Sequence, residues 1–216
     1  MTMIENCIRC GTCCKKGGPS LHRNDTELVE NGIILAKHLY TIRKGETAFD
    51  NVKGVLIPTA SDIIKIKSKK KSQECIFFDQ RENRCKIYAK RPIECRVLKC
   101  WDTREIERIY SKNRLVRKEL FFKIKWLWEL IEMHEEKCSY EKVRHFAKDV
   151  NTEAVNKKSD SAVEKILDIF QYDLSFRSLV VEKGYIKPDM LDFLFGRPLL
   201  QTQKIFGLKV KQRDGN

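Results

Sequence analysis

The sequence predicts an α+β protein: a small cysteine-rich metal-binding unit with a short hairpin, followed by a mainly helical C-terminal half packed against it. Three observations lead there. Eight of the nine cysteines lie at or before Cys100, at positions 7, 10, 13, 14, 75, 85, 95 and 100, and only Cys138 lies beyond. Between Leu39 and Tyr88, short apolar stretches bounded by turn residues have the texture of strands. From Asp102 onward apolar residues recur at three- and four-residue intervals, the helical period. The 216 residues suit one large domain or two small ones, and an apolar content of 42% suffices for an ordinary core. No flexible linker separates residues 1–101 from 102–216, so the two regions are expected to form one compact body.

Each element follows from its residues. Residues 1–23 read as an irregular cysteine loop with "KKGGPS" as a turn-rich exit. In "NDTELVENGII", Asn24 or Asp25 is placed to cap a short helix that Gly32 ends. Residues 39–67 look β-rich, with "SDIIKIKS" weakly alternating. "ECIFFDQRENRCKIY" reads as a hairpin turning in "DQREN", which carries Cys75 and Cys85 on opposite arms. Pro92 suits a turn that enters a helical piece, and Cys95 and Cys100 are spaced to face the hairpin. Asp102 and Glu105 have the spacing of a capping box. A long helix is expected next, with Leu120, Ile124, Leu127, Ile131 and His134 on one face. Further helices are expected over 140–149 and 162–171, then one opened by Pro188 and closed by Gly196. The tail "LLQTQKIFGLKVKQ" reads as a short returning strand.

The chemistry concentrates in "CIRCGTCCKKGG". Adjacent or near-adjacent cysteines rarely reach the geometry of a mutual disulfide. A C-x2-C pair instead brings two sulfurs to one side of a tight turn, and Gly11 supplies the backbone freedom to fold it. C-x2-C-x2-C is also the run that holds iron–sulfur clusters in bacterial ferredoxins. Zinc and iron–sulfur, including 4Fe–4S, therefore both remain open as the cofactor. "MTMIENCIRC" has no apolar run of signal-peptide type, and no stretch approaches the roughly 18 to 20 apolar residues of a membrane span. The expectation is a cytoplasmic protein, where disulfides are rare and clustered cysteines bind metal.

Charge is consistent with that reading. The formal net charge is +13; eight thiolates would remove eight charges and two zinc ions return four, which leaves +9. Arg9, Lys15, Lys16, Lys86, Arg91, Arg96 and Lys99 stand among the cysteines, where positive charge favours thiolates. The run Lys65, Lys67, Lys69, Lys70 and Lys71 has two readings, a solvated loop between strands or a phosphate-contacting patch of a nucleic-acid-binding module.

"CIRCGTCC", "CIFFDQRENRCKIYAKRPIECR" and the cysteine at 100 together resemble the YkgJ-type cysteine-cluster family, the zinc- or iron-chelating proteins with a CxxCxxCC signature. The match runs through Cys7, Cys10, Gly11, Cys13, Cys14, Cys75, Phe77, Asp79, Cys85, Ile87, Tyr88, Arg91, Pro92, Cys95, Arg96 and Cys100, over roughly residues 5–101. One departure is Phe78 where the family has leucine, which keeps the apolar character. The resemblance implies metal binding through Cys7, Cys10, Cys13, Cys14, Cys75, Cys85, Cys95 and Cys100, without an assigned reaction. A related cluster occurs in the flagellin lysine methylases, similar in this region, which implies iron–sulfur chemistry with S-adenosylmethionine as an alternative. The chain has no glycine-rich strand-to-helix loop of the nucleotide-binding kind. No catalytic residue and no partner is assigned.

The adjacent Cys13 and Cys14 side chains tend to diverge. The first four cysteines are therefore expected to divide between centres, or between a centre and a free thiol, with Cys75, Cys85, Cys95 and Cys100 completing the shells, which closes a loop of about 60 residues. His22 is the histidine nearest the first cluster and a further candidate ligand. His134 and Cys138 stand at i and i+4, either sharing a metal or ending an apolar stripe. Trp101 is expected to pack over the site.

Overall fold

A computed structural model describes residues 7, 9–151 and 157–208. In chain order the elements are α1 (Thr12–Lys15), α2 (Thr26–Glu30), β1 (Leu39–Ile42), β2 (Thr47–Asp50), β3 (Val55–Pro58), β4 (Ile63–Ile66), β5 (Phe78–Asp79), β6 (Arg84–Cys85), α3 (Ile93–Val97), α4 (Arg104–Ile109), α5 (Arg117–Phe121), α6 (Lys125–Lys137), α7 (Tyr140–Asn151), α8 (Lys157–Glu182), α9 (Leu191–Leu194) and α10 (Leu199–Thr202). They fall into two compact units, residues 1–41 with 62–120 and residues 42–61 with 121–216. The α+β class expected from the sequence is the one observed.

In the first unit β1 pairs with β4, and β5 pairs antiparallel with β6, setting Phe78 opposite Cys85. The apolar β4 is buried at Ile63, Ile64 and Ile66, and its neighbour is the segment after the cysteine loop. The Leu21 N–H donates to the Ile64 carbonyl at 2.8 Å, and the Leu115 N–H donates to the Leu21 carbonyl at 3.0 Å. Three strands of chain thus lie side by side around a core of Leu21, Ile34, Leu39, Ile64, Ile66 and Leu115.

Local expectations failed where a residue took another partner. Asp25 does not cap α2 with its side chain; its carboxylate accepts from the His22 N–H at 3.0 Å and from the Ile93 N–H, at the start of α3, at 2.8 Å. Asp102 makes no capping box with Glu105, because its carboxylate is taken by the Arg104 guanidinium at 2.7 and 2.8 Å. Cys75 precedes β5 and bridges to Ser68, so the hairpin proper carries only Cys85.

The second unit holds the β2–β3 hairpin, in which Phe49 faces Leu56, and the longer helices. The single helix expected after Asp102 is three: α4, α5 and α6. Leu127, Ile131 and His134 are buried on one face as expected, but Ile124 caps α6 from an exposed turn. α7 follows the expected range closely, and α8 extends beyond 162–171 at both ends. Pro188 opens a turn of 3-10 helix that leads into α9. The tail expected as a strand continues as α10 and a 3-10 turn over Gln203–Phe206, with residues 209–216 outside the described part. Leu199 and Phe206 explain this, because both turn into the core with Cys138, Tyr140, Val143, Ala147, Ile166 and Phe170, a placement set by helical spacing.

Candidate metal centre

Three cysteine-bearing stretches distant in sequence are tied together by hydrogen bonds. Gly11 caps α1 with a φ of +76°, and a Cβ there would stand 2.6 Å from the Phe78 ring and 2.9 Å from Asn83 Oδ1. Only glycine lets the hairpin sit that close to the helix carrying Cys13 and Cys14. The Cys75 N–H donates to the Cys14 carbonyl at 2.8 Å, which ties the second stretch to the first. Cys95 rides on α3, whose Glu94 accepts from the Ser20 N–H at 2.7 Å. Cys13, Cys14, Cys85 and Cys95 are partly buried and Cys75 is buried, while Cys7, Cys10 and Cys100 are exposed.

Cys13 is the electrostatic hub. Its negative charge would oppose the ionisation of Cys10, Cys14, Cys75, Cys85, Cys95 and Cys100, so all six lie within its field. A hydrogen bond from the Cys14 thiol holds Cys13 down at about 6, and the same bond, with burial, pushes Cys14 up. Burial also raises Cys75, Cys85 and Cys95, whereas a hydrogen bond to the Thr12 hydroxyl, 3.1 Å from Cys10 Sγ, lowers Cys10. Arg91, stacked on Tyr88 at 3.9 Å, favours the thiolates of Cys13 and Cys85. Lys69, singled out in the sequence only as part of the lysine run, favours the Cys75 thiolate. Thiols that oppose one another's ionisation are the donor set a soft cation would stabilise, and all-sulfur ligation suits zinc and iron–sulfur centres alike. The residues therefore fit the group the sequence implies.

Other candidates belong to the scaffold. His22 is buried with Nδ1 2.8 Å from the Lys112 carbonyl and Nε2 3.0 Å from Glu94 on α3, so both ring nitrogens are engaged within the scaffold. Trp101 is 40% exposed and does not seal the site. In the lysine run, Lys65 reaches toward Ser20 at 3.5 Å and Lys69 pairs with Glu74 at 3.2 Å, leaving Lys70 and Lys71 on the surface.

Among the described residues, the group of three candidate ligand atoms within 4.8 Å of one another is His134, Cys138 and Asp173, in the second unit. Asp173 is already engaged at both oxygens. Its Oδ1 accepts from His134 Nε2 at 2.7 Å and Arg177 Nε at 2.8 Å, and its Oδ2 accepts from the Leu199 N–H at 2.8 Å. Burial would raise it, but His134, Arg177 and that N–H together hold it at about 2. Burial holds His134 down at about 4 and pushes Cys138 up to about 12. Two buried guanidiniums, Arg43 and Arg177, already act on the cluster. A cation would displace three hydrogen bonds and meet two positive charges, so the arrangement is a structural network. Sequence spacing suggested the His134/Cys138 pair but not Asp173, 39 positions from His134.

Residues 6–139 match the family model of the CxxCxxCC zinc- or iron-chelating domain. No curated protein and no solved structure matches the chain.

Proposed function

Because the chain belongs to the CxxCxxCC zinc- or iron-chelating family, we propose that its first unit is a thiolate metal centre held by Cys7, Cys10, Cys13, Cys14, Cys75, Cys85, Cys95 and Cys100. One observation carries this reading. Cys13, supported by Arg91, stands within electrostatic reach of cysteines from all three distant stretches. The partly buried or buried Cys13, Cys14, Cys75, Cys85 and Cys95 form its inner side, and the exposed Cys7, Cys10 and Cys100 its outer side. A metal bound there supplies thiolate crosslinks that hold the N-terminal loop, the hairpin and α3 together. Arg91 compensates negative charge, and Glu94 with His22 fixes the direction of α3.

A second reading is favoured by the exposed side. An iron–sulfur cluster reached through Cys7, Cys10 and Cys100 would have solvent-accessible ligands, which suits redox or S-adenosylmethionine-dependent chemistry. Anaerobic purification followed by metal and acid-labile sulfide analysis decides between them. Colourless protein containing zinc supports a closed structural centre, and brown protein containing iron and sulfide supports the cluster. Single Cys→Ser variants at the eight positions test the shared ligand set: full metal retention after loss of any of Cys75, Cys85, Cys95 and Cys100 would overturn it.

A further inference from the structure

From the end of α5 into the first residues of α6 five consecutive residues face solvent: Phe122, Lys123, Ile124, Lys125 and Trp126. Phe122 is 62% exposed, Ile124 41% and Trp126 51%, while Phe121 and Leu127 on either side are buried. The segment is held in place by its own backbone. The Ile124 N–H donates to the Phe121 carbonyl at 2.8 Å, and the Leu127 and Trp128 N–H groups donate to the Ile124 carbonyl at 3.0 Å. Anchored apolar side chains that a fold presents to water mark an interaction surface.

Composition points to the occupant. Large apolar groups alternate with lysines and no acidic residue lies between 122 and 126. At a lipid–water boundary, rings and aliphatic chains enter the headgroup region while ammonium groups remain at the level of the phosphates. The net charge of +13 complements an anionic surface. Ile124 at the centre, which offers no ring for base stacking, separates this surface from a single-stranded nucleic-acid platform. We propose that the Phe122–Trp126 turn is a peripheral, reversible docking site for an anionic phospholipid surface. The idea is independent of which metal the first unit holds.

The experiment is co-sedimentation of the full chain, as purified with its metal, with vesicles of phosphatidylcholine containing about one-third phosphatidylglycerol. Binding is expected at low salt, weakening as salt rises, with far less on pure phosphatidylcholine. An Ile124→Ser/Trp126→Ser variant should bind about tenfold more weakly or worse. Lys123→Ala/Lys125→Ala should bind roughly ten- to thirtyfold more weakly. Both should keep the parent's melting temperature, since all four side chains are exposed. The proposal is overturned by no binding to anionic vesicles, by undiminished binding of both variants, or by unfolding of both. Binding of a single-stranded oligonucleotide without vesicle binding, or a dimer that depends on Trp126 without vesicle binding, overturns it as well.

Discussion

The two units solve the same problem, keeping polar groups inside a small fold, in opposite ways. In the second unit buried polar groups answer one another in part: Asp173 takes three donors, Arg177 gives Nη2 to the Phe195 and Gly196 carbonyls at 3.0 and 2.9 Å, and Tyr140 donates to Thr202 at 3.1 Å, while His134 Nδ1, Arg177 Nη1 and the Nε and Nη2 of Arg43 are buried without a hydrogen-bond partner. The close fit extends to Gly196, where a Cβ would stand 2.7 Å from Arg43 Cγ. Around that network lies a continuous apolar cluster on 12- and 26-residue helices. The first unit has helices of four to six residues, strands of two to four, and thiols that oppose one another's ionisation. The difference teaches where external help is needed. One unit ties its central carboxylate to donors of its own chain, and the other gathers donors whose natural partner is a metal.

The comparison can be broken most forcefully by removing metal. A structural zinc–thiolate site contributes on the order of 10 kcal/mol or more to folding, so chelation should strip hydrogen-exchange protection from residues 70–100 and leave α7 and α8 protected. Equal protection of residues 70–100 with and without metal would refute the contrast.

Next in size is Asp173→Ala. It leaves the His134, Arg177 and Leu199 donors unmatched in a buried setting, for a loss of about 3–5 kcal/mol. Denaturant unfolding followed on α6 and α8 should show the loss while bound metal stays constant. A change below about 1 kcal/mol would mean that the network is dispensable.

The smallest effect concerns pH. His134 is held neutral at about 4 against an ordinary value of 6.5, so between these values the unfolded chain binds the proton more readily than the folded one. Stability of the second unit should therefore fall as pH drops from about 6.5 and level off near 4, by on the order of 3 kcal/mol. Asp173, held at about 2, stays ionised across that window. His134→Gln should flatten the slope in hydrogen exchange of α6 and α8; an unchanged slope would assign it to other groups.

Legibility followed the range of the interaction. The β5–β6 hairpin, the Pro92 entry to α3 and the range of α7 could be read because alternation, proline geometry and helical period act over a few residues. The break at Ile124 could not, since helical spacing is preserved across it and exposure depends on what packs nearby. Asp25 shows the same limit: its signal was a local cap, but its partner lies 68 positions away at Ile93.

By itself, the sequence determined the α+β class, the family and the identity of eight candidate thiols, because donor type and spacing are written in the chain. Tertiary structure alone decided that Cys13 is the hub, that His22 braces α3 rather than offering a ligand, and that His134, Asp173 and Arg177 form a hydrogen-bonded network. The reason is physical. Burial and charge set what a titratable group does, and both come from neighbours brought together only when the chain folds.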